Sequence, residues 1–300
     1  MNYNEYHFNS KQLAEMENEA NKMIRNQQYI KEFLADFMDG TRSLEIPADY
    51  MTFLLLLFKI YFNLDVVAAL LPALRTGVRQ KISINLLFRS VMDDVINLYY
   101  LLGTVTRGSG RRISLKNELN VLHKEFLMSC EEIIRAEAKI QGYGYHDQHF
   151  KQSESPDVEA TLLEMRGENP EVYDDGKNEY RKNKDIRTTS LASLKPLFEM
   201  TDYAGFLSEK QKVRFIAARG FSHSEMFTYL FKYFSQYQYY SPKAHEFHLS
   251  DALLDLKCYR WALMEVLNSI GEINRILSLN NTREMEQKLN KKIRASINWE

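Results

Sequence analysis

The sequence predicts an all-α fold: a multi-helix bundle of about seven to nine helices in a single domain spanning residues 1–300. Glycine and proline number only 12 and 6, and this scarcity favours long helices over the many turns that β folds need. Apolar residues recur at helical spacing along most of the chain. No alternating strand pattern competes with that spacing, and no repeat of fixed length is visible.

Two helices are predicted in the N-terminal part of the chain. Asn9 or Ser10 caps the first, and Gly40 ends it. Between these signals, apolar residues recur every three or four positions. Pro47 suits the first turn of a second helix, which extends to about Phe62.

The next segment, residues 64–102, is predicted as one helix with a kink near Pro72 and Gly77, or as two helices. A glycine-rich loop over residues 103–112 follows it. Ser114 then caps another long helix.

Residues 142–190 differ from the rest of the chain, because they are polar, charged and poor in branched aliphatic side chains. Ser155–Pro156 is expected to start a short helix that ends near Met165. The stretch Asp174–Arg187 is expected to be a solvated or mobile loop. We interpret residues 142–190 as a polar insertion between two halves of the bundle.

Helices resume after this insertion. The first of them ends near Tyr203, and a long later one ends near Leu279. The predicted N-terminal signals are Ser190, a capping box of Ser208 with Gln211, Ser250, and Thr282.

Charge and cysteine content limit the class of protein. The formal net charge is −1, so no overall basic field attracts nucleic acid or an anionic membrane. Cys130 and Cys258 lie far apart within helical patterns, which indicates a reducing compartment rather than a disulfide framework. The polar N-terminus does not resemble a secretory signal, so a cytoplasmic location is the default expectation.

The apolar run Phe53–Leu74 was tested as a membrane span. Lys59, Asn63, Asp65 and Pro72 interrupt it before about twenty apolar residues accumulate. A buried helical hairpin is therefore the favoured interpretation, and no membrane association is expected.

A polar stripe runs along the otherwise apolar helix predicted at residues 83–102. Its members fall four residues apart, so they share one helical face. They are Asn85, Arg89, Asp93 and Asn97, with Asp94 beside them. Because a covered charge must be paired, the stripe is either a structural clasp between helices or a ligand-binding wall in which Arg89 grips a phosphate or carboxylate.

A second candidate site is the segment Arg219–His223. A histidine shortly after an arginine, near a helix end, can act as a general acid or base while the arginine stabilises a phosphate. The structural alternative is a helix terminus in which Gly220 breaks the helix and His223 bonds to the backbone.

Two histidine pairs have the spacing of metal ligands on one helical face. They are His146 with His149 and His245 with His248. Neither pair has a third ligand at convincing spacing, so we expect surface histidines, no metal site and no cofactor.

The segment Phe221–Tyr240 is dense in aromatic residues. Aromatic rings can stack on nucleic acid bases, but only Lys232 and the later Lys243 supply interleaved positive charge. Core packing or an interface with another protein is therefore favoured.

Two segments resemble uncharacterised bacterial all-helical proteins that are related to HEPN-type domains. HEPN-type domains are helical bundles often found as ribonucleases in toxin–antitoxin and phage-defence systems. The first is LLPALRTGVRQKISINLLFRSVMDDVINLYYL, with its Arg-x-x-x-Asp at Arg89 and Asp93, and the second is RFIAARGFSHSEM, with its Ser-His at Ser222 and His223. The resemblance implies that Arg89, Asp93 and His223 converge in one polar spot of the bundle core. Arg219 and His223 lie closer together in sequence than the matching pair of active ribonucleases.

Three functions remain as hypotheses, because no phosphate loop, dinucleotide fingerprint, nucleophile elbow or zinc-protease motif is present. The leading hypothesis is a cytoplasmic helical protein that binds a ligand or partner without evident catalysis, with a homo-oligomer or a protein partner as open alternatives. The second is a metal-independent ribonuclease, whose partner is RNA. The third is an interaction scaffold that uses residues 221–240.

Overall fold

The all-α prediction is confirmed by the computed structural model of the chain. The structure describes residues 10–41, 46–76, 79–105, 114–142, 157–187, 206–238 and 252–277, with Gln287 and Lys291. These residues hold nine α-helices and one two-stranded sheet. The helices are α1 (Ser10–Thr41), α2 (Met51–Leu70), α3 (Arg79–Val105), α4 (Leu115–Gly142), α5 (Val158–Gly167), α6 (Asn183–Arg187), α7 (Glu209–Ala218), α8 (Ser224–Ser235) and α9 (Ala252–Leu277), and the strands are β1 (Tyr173–Asp174) and β2 (Glu179–Tyr180).

The chain divides into two compact units. One comprises Met1–Thr106 with Lys212–Glu300, and the other comprises Arg107–Gln211. The insertion expected at residues 142–190 falls inside the second unit. The single-domain assignment stays a prediction.

The first unit is organised around α3. This helix packs against α2, α8 and α9, and α1 packs against α2 and α9. The ring of Phe88 in α3 lies 4.6 Å from Tyr259 of α9 and 5.5 Å from Phe234 of α8, measured between centroids. These three rings are buried and nearly parallel, so they join three helices through one aromatic stack.

The break between α2 and α3 lies near Pro72, as predicted, but the helix end expected near Phe62 is wrong. The helix that starts after Pro47 was expected to end near Phe62, whereas α2 continues to Leu70. A 3₁₀ segment, Leu71–Thr76, then contains Pro72. Proline has no N–H to continue the helical ladder, which explains why the regular helix ends here and not among the apolar residues before it.

The stretch Ala48–Leu74 is long and apolar enough to cross a membrane by length and composition alone, with a mean hydropathy of 2.0. The core helix of a soluble protein meets the same criterion. One face of α2 is buried in the first unit, through Phe53, Leu57, Ile60 and Leu64.

The prediction that Asp174–Arg187 forms a solvated or mobile loop is wrong. In the second unit this segment contains regular structure. Tyr173–Asp174 pairs with Glu179–Tyr180 in an antiparallel hairpin, and α6 follows it. Asn178 takes the left-handed conformation at φ 53°, which asparagine tolerates well in a tight turn. Arg187 is buried and forms an ion pair with Glu118 of α4 at 2.8 Å. The segment is polar because it makes polar contacts, not because it is solvated throughout.

Two predicted helix-start signals, Ser114 and the Ser208–Gln211 capping box, are found at helix starts in the structure. The Ser114 hydroxyl accepts a hydrogen bond from the Asn117 N–H at 3.4 Å. At α7, Gln211 Oε1 accepts from the Ser208 N–H at 2.7 Å, half of the capping box, but the Ser208 hydroxyl also donates to Gln211. The short helix α5 starts after Asp157, whose carboxylate accepts from two backbone N–H groups. The start predicted at Ser155–Pro156 lies outside the described residues.

Other predicted signals also fall outside the part of the chain that the structure describes. They are the helix from Ser190 to Tyr203, the caps at Ser250 and Thr282, and both histidine pairs.

Gly103 lies within α3, which continues to Val105, so the loop expected from residue 103 does not begin there. A Cβ atom on Gly103 would lie 2.7 Å from the Phe215 ring and 3.3 Å from the Arg219 side chain. The missing side chain therefore lets α7 approach α3 closely.

We expect Gly103→Ala to lower the free energy of unfolding by about 1–3 kcal/mol, because the gain in helix propensity is smaller than the cost of the forced contact with Phe215. Gly40→Ala is the matched control, since a Cβ atom there meets nothing within 4 Å. That change should be neutral or stabilise by up to about 1 kcal/mol. Urea unfolding measures both variants, and equal effects would show that the close approach at Gly103 is absent.

Candidate functional site

The arginine of the polar stripe is held by contacts within the first unit. Arg89 Nη1 lies 2.6 Å from Asp93 Oδ2, one turn further along α3. Arg89 Nε donates to the Ser235 hydroxyl of α8 at 3.0 Å. The guanidinium carbon also lies 4.7 Å from the centre of the Phe231 ring. Arg89 therefore connects α3 to α8 through an ion pair, a hydrogen bond and a cation–π contact.

The remaining stripe residues also contact neighbouring helices. Asn97 accepts a hydrogen bond from Lys212 of α7 at 2.9 Å. Asp94 pairs with Lys59 of α2 at 2.8 Å. Burial raises the pKa of Asp94, and the hydrogen bond and charge of Lys59 act in the opposite direction. The lysine is largely exposed whereas the aspartate is buried, so the aspartate carries the larger desolvation cost.

Asn85, at the start of the stripe, belongs to a buried polar network. It donates to the hydroxyl of Tyr259 at 2.8 Å. Next to it, Lys81 Nζ lies 2.6 Å from a carboxylate oxygen of Asp255 in α9, and both side chains are less than a tenth exposed. Tyr233 of α8 and Tyr237, in the 3₁₀ segment Gln236–Gln238 that follows it, donate to the other oxygen of Asp255 at 2.7 and 2.9 Å. Burial and the Asp255 charge raise the pKa of both tyrosines far above the usual range.

A second polar region lies at the turn between α7 and α8. Gly220 has φ 81° and His223 has φ 77°, so both take the left-handed conformation. Gly220 follows the end of α7, the position where a glycine commonly ends a helix. His223 is the residue before α8, and its side chain makes no capping hydrogen bond there. A left-handed histidine is uncommon, and such strained residues often occur at functional sites.

His223 faces a buried carboxylate of α9. Its Nδ1 atom lies 3.7 Å from Glu265 Oε1, and the side chains are 51% and 4% exposed. Burial raises the pKa of Glu265, while the charge of His223 and a hydrogen bond from Asn268 lower it. The pair thus combines a solvent-accessible imidazole, that of His223, with a nearly buried carboxylate, that of Glu265.

A cleft of about 300 Å³ opens beside this pair, and we call it the His223 cleft. Two arginines contribute to its lining: Arg219 from the α7–α8 turn and Arg275 from α9. The complete lining is Tyr99, Arg219, Gly220, Phe221, Ser222, His223, Asn268, Gly271, Glu272 and Arg275. A cleft of this size suits a small ligand.

Packing supports the cleft from the side of α3. The Tyr99 ring lies 5.3 Å from Phe221, edge to face, and 4.9 Å from Phe227. Burial and the carboxylates of Glu265 and Glu272 raise the pKa of Tyr99 well above its usual range. Arg219 lies over the Phe215 ring at 5.1 Å. Tyr99 and Phe221 are therefore the aromatic part of a lining that is otherwise mostly polar.

Arg89, Asp93 and His223 were expected to converge in one polar spot, but the structure does not bring His223 to the other two. Arg89 contacts Ser235 at the C-terminal end of α8, whereas His223 precedes its N-terminal end. The twelve residues of α8 separate these ends by about 18 Å at 1.5 Å per residue. Two polar regions therefore exist, one at each end of α8.

The aromatic segment contributes mainly to the core. Phe227 and Phe234 are fully buried, and Tyr233 and Tyr237 nearly so, whereas Tyr229 is 43% exposed. Tyr239 and Tyr240 lie outside the described residues. Among the residues that the structure describes, no group of three or more His, Cys, Asp or Glu side chains could hold a metal ion.

Sequence reasoning found Arg219 and His223 but missed their partners on α9. Glu265, Glu272 and Arg275 lie within about three turns of a helix whose apolar positions explain its fold without them. A charged residue at a buried helical position was the available signal for Glu265, because such a charge needs a partner.

Comparisons with known protein families, curated proteins and solved structures find no match to this chain.

Two of the ion pairs made by α3, Lys81–Asp255 and Arg89–Asp93, should differ in their effect on stability. Lys81→Met is expected to cost about 3–5 kcal/mol, because it leaves Asp255 buried without its cation. Arg89→Met is expected to cost about 1–2 kcal/mol, since its pair with Asp93 is partly exposed. Chemical denaturation of both variants checks the order. A larger loss of unfolding free energy for Arg89→Met would show that the polar stripe, rather than the buried network around Asp255, joins the helices more strongly.

Proposed function

We propose that the protein binds a small anionic ligand, a phosphate ester or a carboxylate, in the His223 cleft, without a chemical step. One observation carries this proposal: Arg219, His223 and Arg275, contributed by the α7–α8 turn and by α9, line the same concavity. Arginine offers paired N–H donors that match the oxygens of such anions. Protein sites for small ligands are typically concave, with a few convergent polar groups.

The charges of the lining favour an anion. The two arginines and Glu272 give a formal charge of +1 (two positive, one negative) before any proton on His223 is counted. Arg275 holds Glu272 through hydrogen bonds of 2.6 and 3.0 Å, but its side chain remains 59% exposed. An incoming anion can therefore reach this guanidinium without breaking a buried ion pair.

The polar stripe of α3 is the less suitable ligand site. Arg89, Asp93, Asp94 and Asn97 each bond to another side chain of the first unit. A ligand there would have to displace contacts that join helices, and leaving a buried group unpaired is costly. We therefore assign the stripe to the clasp and ligand binding to the His223 cleft.

Binding of inorganic phosphate, measured by isothermal titration, tests the proposal. Arg275→Gln is expected to weaken binding by about tenfold or more, as loss of a charge-assisted contact does. Arg214→Gln is the matched control, because this exposed arginine of α7 does not line the cleft. Phosphate binding that is equal in both variants, or absent from the unchanged protein, would contradict the proposal.

A second candidate function is metal-independent cleavage of RNA in the same cleft. The specific observation that favours it is the His223–Glu265 pair, in which the carboxylate faces Nδ1 and leaves Nε2 available for proton transfer. Arg219 would then stabilise charge on the phosphate. The resemblance to HEPN-type ribonucleases adds support, since it places a functional histidine at His223.

Incubation of the purified protein with total RNA in EDTA tests this activity. His223→Asn should abolish cleavage and remain folded, because asparagine accepts the left-handed backbone that this position requires. His123→Asn, a change at a partly exposed histidine of α4, should leave cleavage intact. Intact RNA at high protein concentration would remove the ribonuclease hypothesis and leave ligand binding unaffected.

A further inference from the structure

We propose that anion binding in the His223 cleft is coupled to the uptake of a proton by the His223–Glu265 pair. This inference rests on the proposed ligand-binding function and adds its regulation: the site binds an anion more tightly as the pH falls. The geometry behind it is the placement of a nearly buried carboxylate directly behind the histidine that lines the cleft.

The imidazole and the carboxylate are close enough for the charge of one to act directly on the other. Nδ1 of His223 and Oε1 of Glu265 are 3.7 Å apart, and the side chain of Glu265 is only 4% exposed. Asn268 donates to the other carboxylate oxygen at 3.3 Å. A proton added to either group therefore changes the charge that the cleft experiences at one defined position.

The sign of the coupling follows from the charges. When His223 is neutral and Glu265 is ionised, the pair carries a charge of −1. This charge is located on Glu265 next to the cleft, and it repels an anion. With one proton added, the pair is neutral overall. The proton either converts His223 to an imidazolium beside the Glu265 carboxylate or converts Glu265 to a neutral acid. An anion in the cleft therefore favours the protonated pair, and by reciprocity protonation favours the anion. Burial raises the pKa of Glu265, which makes the unprotonated pair less favourable still.

The other charged groups around His223 do not reverse this sign. Arg219 in the turn and Arg275 on α9 stay protonated at all relevant pH values. Burial and nearby carboxylates raise the pKa of Tyr99 on α3, so it stays neutral. Glu272 is paired with Arg275, and Glu225 lies exposed in the first turn of α8. Among the described residues around the cleft, the His223–Glu265 pair thus remains as the group that can take up a proton when an anion binds.

Titration with sulfate tests the coupling, because sulfate keeps its charge from pH 5.5 to 8.5 and so takes up no proton itself. Binding heats are measured at pH 7 in buffers of different ionisation enthalpy, and the slope against that enthalpy gives the number of protons taken up. We expect a slope between about 0.5 and 1 and an affinity that rises by up to about tenfold per unit of falling pH.

The decisive variant is His223→Asn with Glu265→Gln, which removes both titrating groups while keeping both arginines. Asparagine suits the left-handed position, and glutamine matches the shape of glutamate, so circular dichroism should show an unchanged fold. We expect this double variant to bind sulfate with no proton uptake and with an affinity independent of pH.

The outcomes separate the two proposals. Sulfate binding with a slope of zero in the unchanged protein would overturn the coupling and leave the binding function standing, as would a slope that persists in the double variant. If the unchanged protein binds neither sulfate nor phosphate at any pH, the binding function fails and the coupling fails with it.

Discussion

The burial of α3 is the constraint on which the rest of the first unit depends. This helix packs against three others, so its side chains leave water over most of its length. A charge in such a place must meet a partner or cost several kcal/mol. Lys81 meets Asp255 of α9, Asp94 meets Lys59 of α2, and Arg89 reaches α8. The first two contacts limit where α9 and α2 can lie, because a displaced helix would leave a buried carboxylate unpaired.

The same helix also determines the shape of the His223 cleft. Near its C-terminal end, Gly103 admits the Phe215 ring and the Arg219 side chain to close contact, and Tyr99 packs against Phe221. These contacts hold the turn that places His223 in its left-handed conformation. A site supported by a packed helix keeps its geometry better than one carried by a loop alone. The clasp and the cleft are therefore two consequences of one buried helix.

The fold was predictable to a larger extent than the site. The helices of the first unit follow from apolar spacing, and Ser114 and Pro72 mark a start and a break through local chemistry. The hairpin and α6 in the second unit were missed, because their polar sequence resembles a solvated loop and their stability depends on partners such as Glu118. At the site, His223 was found, but Glu265 was not, since its role depends on a residue far away in the sequence.

The sequence by itself determined that this protein is helical, where several helices begin and end, and that polar residues line one face of α3. These properties are local: they depend on the 3.6-residue period, on caps and on the missing N–H of proline. Only the tertiary structure decided which charges meet. It joined Arg89 to one end of α8 and paired His223 with Glu265 at the other. Ion pairs between helices depend on how those helices pack, and no spacing within one helix records that arrangement.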